Sequence, residues 1–251
     1  MAYSAGIFPS PSSSLEEASI CKFERICRQL ELSPSDHLLE IGCGWGGLAI
    51  HAARQFGCRV TATTISQQQY DYAARQIAQH GLQDRITLLK KDYSDLTGRF
   101  DKLVSVEMIE AVGERYLDGY FAKCCSLLKH NGRMLLQAIT IEEQSCQQYR
   151  RSRDFIQQYI FPGGFLPSVS GITTSIGRAT QFRLLGLEDF GLDYARTLAH
   201  WRSRFWSRIE DVRRLGFDER FLRMWDYYLC YCQAGFEERA TGVAHLLLTK
   251  V

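Results

Sequence analysis

A short apolar strand that runs directly into spaced glycines constrains this chain more than any other stretch: Leu38-Leu-Glu-Ile-Gly42-Cys-Gly44-Trp-Gly46-Gly47. A buried strand, a glycine loop and a helix start, in that order, let backbone N–H groups approach a ligand at a helix N-terminus. The rest of the first half keeps the rhythm. Residues 46–56 read as helix, Arg59-Val-Thr-Ala-Thr-Thr-Ile65 as a β-branched strand and 67–80 as helix. Strands at 85–89 and 100–106, a helix at 114–129, a turn at Asn131-Gly132 and a strand at 133–140 continue it. Strands alternating with helices imply a parallel sheet covered on both faces. Ahead of the loop, 15–32 carry a helical pattern, with Ser14 and Glu17 spaced as a capping box.

Past Ile141 the pattern changes. Residues 142–160 are polar, rich in Gln and Arg and helical in character, and they end at Phe161-Pro-Gly-Gly-Phe-Leu-Pro167. A second helical stretch, 168–180, precedes a strand at 183–190, helices at 195–215 and 218–237, and a last strand from Val243 to Val251. The stretch 142–180 is expected to be a lid over the carboxyl edge of the sheet, where ligands of such folds bind.

Composition narrows the classes. A 45% hydrophobic content over 251 residues supplies a sizeable core, and a net charge of +2 gives no global field for nucleic acid. Cys124-Cys125 and Cys230-x-Cys232 lack the spacer of a zinc half-site, so the nine cysteines read as reduced thiols and no metal is expected. No apolar run approaches the ~18 residues of a membrane span, and the N-terminus has no signal-peptide pattern. The expectation is a cytoplasmic protein.

Gly42, Gly44 and Gly47 match a dinucleotide fingerprint, but the acidic residue expected ~20 positions further on is missing. The acid stands before the glycines instead, at Glu40. Acid-x-Gly-x-Gly-x-Gly resembles motif I of the Rossmann-like S-adenosylmethionine methyltransferases, where the carboxylate helps position the loop and the methionine end of the cofactor. The usual ribose-binding acid after the second strand is absent; Thr63, Thr64, Ser66 and Gln69 occupy that neighbourhood and can hydrogen-bond a ribose.

Longer runs are more specific. They are Tyr3-Ser4-x-Gly-x-Phe8, Ser14-Leu-Glu-Glu-Ala18, Val60-Thr-x-x-Thr-Ile-Ser66 and Phe100-Asp-Lys-x-Val-Ser-x-Glu-Met-Ile-Glu-x-Val-Gly113. Further on come Tyr149-Arg-Arg-Ser-x-Asp-Phe-Ile156, Tyr159-Ile-Phe-Pro-Gly-Gly-x-Leu-Pro-Ser168 and Asp193-Tyr-x-x-Thr-Leu-x-x-Trp201. With these the chain resembles the cyclopropane-fatty-acyl-phospholipid synthase family, including the mycolic acid cyclopropane synthases. The resemblance implies an α/β fold: a Rossmann-like class I methyltransferase with a seven-stranded, mainly parallel sheet and a helical lid insertion. It implies a single S-adenosylmethionine-dependent methyltransferase domain over 1–251, with 1–33 covering the cofactor and 142–180 as the lid.

The resemblance also implies cofactor contacts at Tyr3, Ser4, Glu40, Gly42, Gly44, Thr64, Ile65 and Gln69, with Asp92 and Tyr93 near the adenine. The implied reaction adds a methylene group from S-adenosylmethionine to the cis double bond of an unsaturated phospholipid acyl chain, forming a cyclopropane. The base in this family is a bound bicarbonate, whose pocket maps onto Glu110, the backbone amide of Ile139 and Tyr194. Glu110 is preferred to its neighbour Glu107. Two positions depart from the family: Gln137 stands where many members have histidine, and Ala5 where many have cysteine. Gln137 can hydrogen-bond bicarbonate but cannot titrate near neutrality, which leaves methyl- or methylene-branched products open.

Phe8, Ile160, Phe161, Gly164, Phe165 and Leu166 are candidates to line an acyl channel, against a reading as ordinary core. Arg150, Arg151 and Arg153 before the channel motif, and Arg202, Arg204, Arg208, Arg213 and Arg214 after it, could face anionic headgroups, although such runs are usually solvated surface. Phospholipid acyl chains at the inner membrane surface are thus the expected partner, with no nucleic acid; the oligomeric state stays open, a homodimer included. A methyltransferase for another hydrophobic small molecule and a non-catalytic lipid or cofactor binder are the competing readings. The chain reads as little more than the catalytic module.

Overall fold

In the computed structural model, which describes residues 2–251, seven strands form one sheet. They are β1 (His37–Ile41), β2 (Arg59–Thr64), β3 (Ile86–Lys90), β4 (Phe100–Val106), β5 (Leu128–Ile141), β6 (Phe182–Asp189) and β7 (Thr241–Lys250), in the order β3-β2-β1-β4-β5-β7-β6. β1 to β5 pair in parallel, and β7 runs antiparallel to both of its neighbours.

Strand periodicity divides the core in two. Leu39, Ile41, Leu103 and Leu136 point to one face, while Leu38, Val104 and Leu135 point to the other. Each such side chain, once buried, contributes about 1.5–3 kcal/mol. Helices cover both faces: α1 (Leu15–Gln29), α2 (Gly47–Phe56), α3 (Gln67–Gln79), α4 (Leu117–Leu127), α5 (Glu143–Arg151), α6 (Val169–Ala179), α7 (Gly191–Ser207), α8 (Ile209–Arg214) and α9 (Glu219–Glu237). The Ser14 capping box is present, with the Glu17 amide donating to Ser14 Oγ at 3.2 Å and the Ser14 amide to Glu17 Oε2 at 2.7 Å.

Strand order reverses between β1 and β4. β2 and β3 lie to one side of β1, β5 to β7 beyond β4, so the loops leaving β1 and β4 diverge and open a crevice at the carboxyl edge. Both glycine loop and the Glu107–Gly113 turn rise from that point.

Several elements differ from the expectations. The helix expected over 114–129 begins as a 3₁₀ turn, Glu114–Tyr116, and yields at Leu128 to β5; the turn expected at Asn131-Gly132 is an irregularity inside that strand, with Asn131 at φ +60° and the β4 pairing jumping from Leu128 to Arg133. The long helix expected over 195–215 breaks at Arg208 into α7 and α8. The helix expected over 142–160 stops at Arg151, because α5 buries only Cys146 and has no apolar face to extend it; a π-helical turn follows at Ile156–Ile160.

Candidate active site

The glycine loop begins where β1 ends. Gly42, Gly44 and Gly46 all adopt positive φ, and Gly46 caps α2. A Cβ at Gly44 would meet nothing within 4 Å, whereas one at Gly42 would meet Met108 Cγ at 3.1 Å. The loop therefore leaves open space at Gly44, on the floor of a cavity of about 360 Å³. Tyr3, Ser4, Glu40, Gly42, Gly44, Thr64, Ile65, Gln69, Asp92 and Tyr93, expected from separate parts of the chain, all line this one cavity. A second cavity of about 300 Å³, between the ends of β5, β7 and α7, holds none of the residues singled out above.

The walls are ordered by their own bonds. Thr64 Oγ1 donates to Gln69 Oε1 at 2.7 Å, and Ser66 accepts the Gln69 amide as the cap of α3. Glu40 is buried, and its Oε2 has no hydrogen-bond partner. Burial pushes its carboxyl up to about 8, with the charge of Lys22 pulling the other way. An unpartnered acceptor and an open glycine cradle on one cavity fit a donor-bearing, drug-sized group such as S-adenosylmethionine.

Lys22 also lines the cavity, 1% exposed, with its ammonium hydrogen-bonded to Ser4 Oγ. Burial lowers it to about 8, against the nearby carboxylates of Glu107 and Glu40. The sequence reading did not single it out. The signal was there: Leu15, Ala18, Lys22 and Ile26 form the buried stripe of α1 at helical spacing, and a lysine on such a stripe needs a partner.

The remaining polar residues gather around a carboxylate other than the preferred one. Glu107, at the end of β4 and on the cavity wall, accepts from the Ala5 amide at 2.9 Å, Gln137 Nε2 at 2.6 Å and Tyr194 Oη at 2.7 Å. Gln137 is aligned by β7: its Oε1 meets His245 Nε2 at 2.9 Å, and burial drives His245 down to about 3, keeping it neutral. Glu110 takes the Ile139 amide on Oε1 at 2.6 Å, while its buried Oε2 has no partner. Burial and the charge of Glu107 lift Glu110 to about 8. Burial also raises Glu107, opposed by Lys22 and by its three donors.

This arrangement changes the bicarbonate expectation. Glu110, Ile139 and Tyr194 do not converge on one vacant point; the Ile139 amide is satisfied by Glu110, and Gln137 and Tyr194 by Glu107. A bicarbonate would set its charge beside the Glu107 carboxylate, which already holds the Gln137 and Tyr194 donors. The ion does not fit these donors.

The channel candidates separate. Phe161 is 45% exposed, and its ring stands edge-on to Tyr228 at 6.1 Å. The Phe165 amide donates to the Glu110 carbonyl at 3.0 Å, tying the lid segment to the β4 turn, and Gly164 fits where a Cβ would meet the Phe161 carbonyl oxygen at 2.9 Å. Phe8 does not belong with them. It is buried with Leu15 and Ala18 against Trp201 and stacks on His200 at 5.5 Å, packing the N-terminal segment onto α7. Of the eight arginines considered for headgroups, six are engaged in ion pairs: Arg150, Arg202, Arg204, Arg208, Arg213 and Arg214. No helix among the described residues is long and apolar enough to cross a membrane.

Known proteins resemble this chain in sequence and in fold. The mycolic acid cyclopropane synthetase model matches residues 1–246. The tuberculostearic acid methyltransferase UfaA1 of Mycobacterium tuberculosis is 39% identical over 243 residues, covering 94% of this chain and 57% of that protein. The cyclopropane-fatty-acyl-phospholipid synthase of Escherichia coli K12 is 39% identical over 229 residues, covering 90% of this chain and 56% of that one. The chain thus spans little more than half the length of these curated relatives. The cyclopropane synthase MmaA2 of Mycobacterium tuberculosis superposes with a TM-score of 0.92 at 25% identity, over 99% of this chain and 90% of that one. The fold is the Rossmann-like class I methyltransferase fold, and the chain belongs to the mycolic acid cyclopropane synthetase family.

Proposed function

We propose that this chain is an S-adenosylmethionine-dependent methyltransferase that adds a one-carbon unit to the cis double bond of an unsaturated phospholipid acyl chain and closes a cyclopropane ring. The observation that carries this reading is an aromatic cluster packed beside the cofactor cavity. Tyr159 and Tyr227 are exposed at its outer edge, with the Phe155 ring 5.5 Å and 4.7 Å from them. Further along, Phe161 abuts Tyr228, whose hydroxyl meets that of Tyr3 at 2.8 Å, and Tyr3 stacks on Trp201 at 5.0 Å on the cavity rim. Such a surface suits a long apolar chain and offers few groups to a polar substrate.

The cofactor, when bound, supplies an electrophilic methyl group. Tyr3, Ser4, Gly42, Gly44, Thr64, Ile65 and Gln69 would hold it, with Asp92 and Tyr93 at the adenine and Glu40 toward the methionine end. In this reading the 1–33 segment covers the cofactor, 142–180 shields the acyl chain from water, and 1–251 act as one catalytic domain. Glu110, Tyr194, Gln137 and the Ile139 amide order the polar end of the site. Arg151 and Arg153, exposed and outside the ion pairs above, are the side chains left to meet anionic headgroups on the inner membrane surface.

A methyl or methylene branch at the same carbons is the second reading. It is favoured by equal 39% identity to the tuberculostearic acid methyltransferase and the cyclopropane synthase. Incubation with S-adenosylmethionine and cis-unsaturated phospholipid vesicles tests both. Acyl mass should rise by one CH₂ for a ring or a methylene branch, and survival of that product under olefin-reducing hydrogenation marks the ring; a saturated methyl branch would carry two more hydrogens and form only with an added reductant. No mass gain from a protein that binds S-adenosylmethionine would overturn the proposal.

A further inference from the structure

We propose that Glu107 is itself the proton acceptor of the reaction, a built-in carboxylate standing where the family resemblance implies a bicarbonate ion. The inference rests on the olefin-directed reading above and on three observations. The first is the donor set: the Ala5 amide, Gln137 Nε2 and Tyr194 Oη converge on the two oxygens of this one side chain, as they would on a planar oxyanion. The second is access. Glu107 lines the cofactor cavity, whereas Glu110 lies outside its lining.

The third is the backbone. Glu107 adopts φ +47°, a left-handed conformation that side chains rarely take, and its amide donates to the Gln137 carbonyl at 2.9 Å. Glycine would adopt that turn without strain. A glutamate held there directs its carboxylate back over β5 toward α7, and strain of this kind is kept where the surrounding structure enforces it, often at a working site. Lys22 offsets the charge from the cavity side, and Tyr194 keeps its proton because burial and Glu107 raise it, so it serves as a donor throughout.

The balance closes without another reagent. Transfer of the methyl group to one olefinic carbon uses the π pair and leaves a cation on the other. A C–H bond of the new methyl then breaks: its electron pair forms the second ring bond, and its proton passes to a Glu107 oxygen. The positive charge leaves the lipid with the proton, and Glu107 returns it to water when the product departs. A methylene branch needs the same acceptor after a hydride shift within the chain.

Turnover measured in CO₂-depleted buffer and with millimolar bicarbonate, alongside NMR of added ¹³C-bicarbonate, tests this. The wild type should turn over equally in both buffers and show no bound ¹³C signal. Glu107→Gly, which suits the backbone, should lose at least about a hundred-fold in rate without bicarbonate. It should then bind ¹³C-bicarbonate and recover at least about ten-fold on its addition. Glu107→Gln, which still fills the space, should stay inactive in both buffers. Bicarbonate-stimulated wild type with a bound ¹³C signal, or an undiminished Glu107→Gly in CO₂-depleted buffer, overturns the proposal. Failure of the olefin reading looks different: no form yields acyl product, while the ¹³C signal still distinguishes Glu107→Gly from wild type, and Glu107 keeps its place but loses its role.

Discussion

Tyr194 Oη donates to Glu107 Oε2 at 2.7 Å, joining α7 to the turn after β4 across 87 residues of chain. Tyr194 is buried against Phe236 at 4.5 Å and Trp201 at 6.1 Å, so its hydroxyl is fixed before any ligand arrives. Tyr194→Phe keeps the ring and removes one of the donors to a buried carboxylate. A hydrogen bond to a charged group contributes about 1.5–3 kcal/mol, so turnover should fall roughly ten- to a hundred-fold. Cofactor affinity, measured by calorimetry, should stay within about two-fold, since Tyr194 does not line the cavity. An equal loss in both would show that the bond shapes the cofactor site instead.

The residues of the site differ in how readable they were. Glu40 and its glycines were legible because strand, acid and loop are contiguous, and backbone sterics tie that order to one geometry. Tyr3, Asp92 and Gln69 came from the resemblance, and they meet because the strand order reverses between β1 and β4. Glu107 was ranked below Glu110 because the family's pocket maps onto Glu110, and nothing local reveals the left-handed turn that directs Glu107 elsewhere. Gln137 was read as a hydrogen-bond donor to bicarbonate that cannot titrate; its pairing with His245 depends on the antiparallel register of β5 and β7, which no local pattern encodes.

The open space at Gly44 predicts a binding defect that is separable from a folding defect. Gly44→Ala places a methyl group at φ +53° with nothing within 4 Å, so its stability cost should be only the ~1–2 kcal/mol of left-handed strain. The methyl would stand in the cavity, and S-adenosylmethionine binding should weaken by at least about ten-fold, roughly 1.4 kcal/mol. Gly46→Ala, whose Cβ would sit 3.0 Å from Ala73 Cβ at φ +85°, should lose more in melting temperature than Gly44→Ala. Equal melting temperatures with equal affinities would refute the distinction.

Lys22 is the buried cation of the cavity wall among the described residues, placed between Glu40 and Glu107. Lys22→Met retains the apolar stem and removes the charge that favours ionisation of both. Glu40, already pushed up to about 8, can answer by keeping its proton, so the fold should survive. With the buried cation gone from the wall of a cavity that would take a carboxylate-bearing cofactor, affinity should drop at least about ten-fold, more steeply at low salt. Titration calorimetry beside a thermal melt checks this; a lower melting temperature with unchanged affinity would confine Lys22 to a structural part.

Glu110 gives a pH dependence whose sign follows from its environment. Its carboxyl is lifted from the ordinary range to about 8 by burial and by Glu107, so between roughly pH 4.5 and 8 the folded protein holds a proton that the unfolded chain has released. Stability of the ligand-free protein should therefore fall as pH rises through that window, by at most about 1.4 kcal/mol per pH unit for this group. Glu40, raised for the same reason, adds a slope of the same sign. Glu110→Gln replaces the protonated carboxyl with a neutral group of similar shape that can still accept the Ile139 amide on its oxygen. The variant should gain stability relative to wild type as pH increases from 5 to 8, with little difference at pH 5. Urea melts across that range test it, and parallel curves for the two proteins would mean that Glu110 ionises as freely in the fold as in the open chain.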